Sequence, residues 1–147
     1  MASNSIVALT EQEQISRVLL AWLNQFPDKP VTIINYEYLE DGESMALSTI
    51  QAAYKIRPYI TGGYLAQYQF KVLYRLNPGK SNNNRLKADE LLNSLGVWAT
   101  TRKDLPALGE RIQCVKVEAT TQSSLFGRYD NGYEDHQILM NMFYEVI

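Results

Sequence analysis

YLAQYQFKVLYRL, residues Tyr64 to Leu76, decides the fold. Every second residue is apolar: Tyr64, Ala66, Tyr68, Phe70, Val72, Tyr74 and Leu76 fall on one face of an extended strand. Leu65, Gln67, Gln69, Lys71, Leu73 and Arg75 fall on the other, which is mostly polar. Strands usually run about 5–6 residues; at ~3.3 Å per residue this one spans about 43 Å. A compact chain of this size has a radius of gyration near 15 Å, so it is only about 40 Å across. The spacing therefore predicts a strand that outruns its own core. An unpaired sheet edge is a template for another chain, and the spare length reads first as a sign of assembly.

Working outward, Thr10-Glu11-Gln12-Glu13 fits a capping box, and Ile15, Val18, Leu19, Trp22, Leu23 and Phe26 form one apolar helical stripe. Pro27 and Pro30 stop it, which predicts a helix over Thr10–Phe26. Val31–Leu39 reads as a first strand and Met45–Gln51 as a weaker second, joined in a hairpin across Glu40–Ser44. Ala52–Thr61, with Pro58 and the following Gly62-Gly63, reads as a loop. After the long strand comes the turn Asn77-Pro78-Gly79. A second helix, Asn84–Thr100, carries Leu86, Leu91, Leu92, Leu95 and Trp98, and Gly96 inside it suggests close packing. Arg111–Ala119 is a strand whose alternation changes phase between Cys114 and Val115, as a bulge would produce. Thr120–Glu134 is polar and contains the turn signal Asn131-Gly132; Gln137–Val146 alternates again. The order α-β-β-β-α-β-β predicts an α+β fold, a mainly antiparallel sheet with two helices on one face. The chain reads as a single domain, 1–147, with 1–9 as a flexible lead-in.

Composition narrows function by exclusion. At 147 residues, with 46% hydrophobic and 20% charged side chains, this is an ordinary globular composition. A net charge of −2 argues against a dedicated nucleic-acid binder. A lone cysteine, Cys114, excludes an internal disulfide and suits a reducing compartment. No run approaches a membrane span, and the N-terminus lacks a secretory pattern. Ten tyrosines against four phenylalanines fit either interface chemistry or strand preference.

Reaction chemistry is thinly represented. Cys114 and the single histidine, His136, could form a nucleophilic dyad. The plainer reading makes Cys114 inert core packing and His136 a solvated residue opening a strand. One His and one Cys show no zinc spacing, Glu40-Asp41-Gly42-Glu43 lacks the calcium-loop pattern, and no phosphate loop or nucleophile elbow is present. No catalytic, cofactor or metal residue is assigned. Lys80, Arg85 and Lys87 read as a solvated basic face.

Several segments nevertheless resemble a family. Leu20-Ala21-Trp22-Leu23-Asn24 with Pro27-Asp28-Lys29-Pro30, Met45-Ala46-Leu47-Ser48, Gln67-Tyr68-Gln69-Phe70, Lys87-Ala88-Asp89-Glu90, Tyr129-Asp130-Asn131-Gly132 and Glu134-Asp135-His136-Gln137 are similar to tailed-phage minor capsid proteins of the tail-terminator kind. The resemblance runs from Thr10 to Val146 and its motifs are structural. It implies a virion protein made in a bacterial cytoplasm, forming a ring, typically a hexamer, that caps the tail tube and meets the head-closure protein. DNA would pass through the lumen without specific binding, and neither a cofactor nor a membrane is involved. Gln67, Gln69, Lys71, Arg75 and Tyr129 are the expected subunit-interface residues, and Glu37, Glu40, Asp41 and Glu43 the expected lumen-facing carboxylates. A small cytoplasmic binding module, or an enzyme with a carboxylate- or Cys-based site, is the alternative.

Overall fold

Alternation becomes burial in the long strand. The computed structural model describes residues 14–50 and 54–147; the capping box at Thr10–Glu13 and the lead-in 1–9 lie outside the described residues. Within it β4 is Tyr64–Leu76, and Ala66, Tyr68, Phe70, Val72 and Tyr74 are buried on one face. A second strand of 13 residues, β7 (Glu134–Val146), pairs antiparallel with it over its whole length, from Tyr64↔Val146 to Leu76↔Glu134. Ile138, Met140, Met142 and Tyr144 extend the same buried face.

The other edge of β4 is covered too, which corrects the expectation of spare strand length. β2 (Ser44–Thr49) pairs antiparallel with residues 70–75 and β3 (Lys55–Pro58) with residues 64–66. Between them Gln67 N donates to Tyr54 O at 2.7 Å and Ile50 N to Gln69 O at 3.0 Å. On the far side β5 (Ile112–Ala119) and β6 (Ser124–Arg128) share the outer edge of β7. β1 (Ile34–Tyr36) completes a seven-stranded sheet of order β1-β2-β4-β7-β5. Every pairing is antiparallel except β1 with β2.

Both helices lie on the apolar face of β4 and β7, as their stripes predict. Helix α1, described over 14–23, inserts Ile15, Leu19, Trp22 and Leu23, with Phe26 beyond its end. Its Ser16 Oγ is 2.7 Å from Tyr68 OH. Helix α2 (Asn82–Thr101) is capped by Ser81, whose Oγ accepts from Asn84 N at 3.2 Å. Its inner face is Ala88, Leu92, Leu95, Gly96 and Ala99; Leu86, expected inside, is exposed. Gly96 has a steric reason: a Cβ there would stand 2.9 Å from Ile138 Cδ1 and 3.1 Å from Ala119 Cβ. The architecture is α+β with two helices on one face of a mostly antiparallel sheet.

Three local expectations are corrected. The Glu40–Ser44 hairpin does not form: β1 is three residues long and runs parallel to β2, Ile34 facing Met45. Glu37, at φ +54°, turns the chain back, and its carboxylate accepts from Thr49 N and Ser48 Oγ, so 37–43 returns to the start of β2. A strand, β3, lies inside the expected loop Ala52–Thr61; Pro58 is harmless there because it ends an outer strand. Another strand, β6, lies inside the expected polar stretch Thr120–Glu134, and β7 begins three residues before Gln137. The bulge in β5 falls where the phase changes: the register shifts between Cys114 and Lys116, leaving Val115 unpaired and exposed.

Candidate functional site

Residues of odd number on β4 point away from both helices. Gln67, Gln69, Lys71 and Arg75 therefore share one face, beside Gln137, Leu139, Asn141 and Phe143 of β7. Among the described residues no helix covers this face. Tyr129, after β6, comes onto it: its ring lies under the Arg75 guanidinium at 5.1 Å, and its hydroxyl donates to Asp135 Oδ2 at 2.7 Å. All five expected interface residues are thus brought together on one side of the sheet. The cations on it rest on rings as well: Lys71 Nζ is 4.3 Å from the Phe126 ring and Lys116 Nζ 4.9 Å from that of Phe143. Gln67 Oε1 accepts from Asn141 Nδ2 at 3.1 Å. Such a surface is amphipathic, its side chains held by ring contacts and hydrogen bonds.

One end of this face is a charged cluster that the sequence reading missed. Glu134, Asp135 and His136 open β7 and all three are buried; His136, expected to be solvated, is only 2% exposed. Arg75 meets Asp135 with two bonds, Nε to Oδ1 at 2.8 Å and Nη2 to Oδ2 at 2.9 Å. On the helix side Glu134 accepts from Arg85 Nε at 2.9 Å and Arg128 Nε at 2.8 Å. His136 bridges Asp89 Oδ1 at 2.9 Å and Glu134 Oε1 at 3.3 Å. Burial alone would raise the Glu134 carboxyl, but the bonds from Arg128, Arg85 and His136 outweigh it and hold the group below its ordinary value. Asp135 in turn pushes the Tyr129 hydroxyl up by accepting its proton in a hydrogen bond. The visible signal was three titratable residues in succession at the mouth of an alternating strand.

This cluster ties elements together rather than activating a nucleophile. Ser123 Oγ donates to Asp89 Oδ1 at 2.8 Å and makes no bond to the imidazole. The Cys114–His136 dyad does not form: Cys114 faces Tyr144, eight residues along β7 from His136, or about 26 Å at ~3.3 Å per residue. Burial pushes the Cys114 thiol up to about 11, which leaves it inert.

The four acidic residues expected at a lumen all lie on the segment 37–43, and they differ. Glu37 caps the end of β2, and Glu43 Oε2 accepts from Tyr74 OH at 2.7 Å. Glu40 contributes its backbone, its carbonyl accepting from Arg75 Nη1 at 3.0 Å. The side chains of Glu40 and Asp41 are exposed and form no ion pair among the described residues.

No protein-family model matches the chain, and no curated protein matches it. Among the described residues, no three or more His, Cys, Asp or Glu are grouped to hold a metal, and no helix is long and apolar enough to cross a membrane.

Proposed function

We propose that this chain is a structural virion protein of the tail-terminator kind. Copies form a ring, six in number, that caps a phage tail tube and meets the head-closure protein, with DNA passing through without specific binding. The observation that carries the reading is the helix-free face of the sheet. Its core side is packed under both helices, yet its outer side gathers Gln67, Gln69, Lys71 and Arg75 of β4, with Tyr129 from the segment after β6 laid against Arg75. A face anchored by paired strands and a buried charge cluster suits repeated contact between identical subunits. The residue pattern that resembles tail terminators, from Leu20-Ala21-Trp22 to Glu134-Asp135-His136, supports the same reading.

Electron microscopy and sedimentation of the chain mixed with preassembled tail tubes test it. The expected result is a cap on one tube end containing about six protomers of 16.8 kDa. Uncapped tubes beside a strictly monomeric chain, even at high concentration, overturn it.

A further inference from the structure

The two ends of β4 carry opposite chemistry. At its Tyr64 end stands the β3–β4 hairpin, closed by Tyr59 N donating to Gly63 O at 2.7 Å, with Gly62 at φ +101°. All four residues of β3 are exposed, Ile56 among them, and Ile60 at the tip is fully exposed. The sequence from Tyr54 to Ala66 contains Lys55 and Arg57 and no acidic residue. Both cations are propped on rings, Lys55 Nζ 4.7 Å from that of Tyr64 and Arg57 Cζ 5.7 Å from that of Tyr59. Neither forms an ion pair among the described residues, and Glu145, opposite Leu65, pairs with neither.

At the Arg75 end lies the loop 37–43, with Glu40 and Asp41 exposed and Tyr38 exposed between the acids. Ser44 faces Arg75 and Pro58 faces Tyr64, so the two patches are about 36 Å apart at ~3.3 Å per residue. That exceeds the ~8–10 Å screening length several times over, and they do not satisfy each other within one chain. A basic patch with exposed apolar residues and an acidic patch with an exposed tyrosine, on opposite ends of one molecule, form a heterologous pair of surfaces.

We infer that the β3–β4 hairpin of one copy docks on the 37–43 loop of the next copy, Lys55 and Arg57 meeting Glu40 and Asp41 while Ile56 and Ile60 leave water. The inference rests on the ring reading and adds, beside the helix-free face, a second contact by which neighbours meet. It also gives Glu40 and Asp41 a partner other than passing DNA.

Charge reversal tests it without touching the core. Lys55→Glu/Arg57→Glu gives a chain with two acidic ends, and Glu40→Lys/Asp41→Lys one with two basic ends. By sedimentation velocity in low salt, the natural chain associates with rising concentration and dissociates with added salt. Each reversed variant associates about tenfold more weakly or less, with an unchanged melting temperature. Mixing the two variants one to one restores association, because each supplies the other's complement. Variants that associate like the natural chain, a mixture that restores nothing, or a natural chain that stays at 16.8 kDa throughout, overturn the contact. The ring is judged separately on tail tubes. A cap formed by both variants alone leaves the ring and removes the hairpin contact, whereas no cap with any chain removes both.

Discussion

Tyr68 answers two demands with one side chain. Its ring sits in the core under α1, 4% exposed, while its hydroxyl reaches Ser16 Oγ at 2.7 Å. Burial pushes the hydroxyl's pKa well above its ordinary value, so it stays protonated and able to donate. Tyr68→Phe keeps the ring and loses one bond, which is expected to cost about 1 kcal/mol. Tyr68→Asp places a carboxylate in the core beside Phe70 and Met142, and is expected to leave the chain unfolded. Thermal melts followed by circular dichroism separate the two; an Asp variant melting like the natural chain would mean that this face is not core. Gly63 makes the complementary point about space. A Cβ there would lie 2.1 Å from Val146 O, a backbone atom that cannot swing aside. Gly63→Ala is expected to destabilise by about 2–3 kcal/mol and to loosen the β3–β4 hairpin, read as faster amide exchange at Tyr59 and Gly62.

Among the elements, β7 is the one the others are fastened to, through the carboxylates at its start. Glu134 collects Arg85 from α2 and Arg128 from β6. Its folded value is lower than the ordinary 4.5, so its contribution to stability is complete above about pH 4.5. As pH falls further, the unfolded chain takes up the proton first, and the contribution is lost through the lower folded value. Glu134→Gln is expected to cost about 2 kcal/mol at pH 7 and to flatten the fall in stability below pH 4.5, measured by urea unfolding at a series of pH values. The same elements show what sequence makes legible. β4, β7 and both helices have one face buried, so apolar spacing records them. β3 and β6 are short outer strands with little buried area, and nothing periodic marks them; only pairing with β4 and β7 makes them strands. The parallel β1–β2 pair depends on the Glu37 carboxylate capping Thr49 N, a contact between residues 12 apart that no local pattern announces. The charge cluster was hidden for a similar reason: Arg75, Arg85 and Asp89 reach β7 across the fold, and adjacent residues gave no hint of those partners.

For the whole molecule, the long strand has changed meaning: β2, β3 and β7 occupy both its edges, so what this strand itself leaves for partners is a face, not an edge. A face of this kind separates stability from assembly. Gln69 lies in its middle, half-buried, with its backbone carbonyl already bonded to Ile50 N. A long cation placed there extends outward over the sheet without entering the core on the other side. Gln69→Arg is therefore expected to change stability by no more than about 0.5 kcal/mol. In a ring whose subunits meet through this face, the same arginine meets the same position's surroundings in every copy, and six added charges are desolvated at once. Capping of tail tubes is then expected to fall at least tenfold while the melting temperature holds. Gln69→Ala, which only removes volume, is expected to cap nearly as well as the natural chain. Equal capping by the arginine variant would place the subunit contact elsewhere on the molecule.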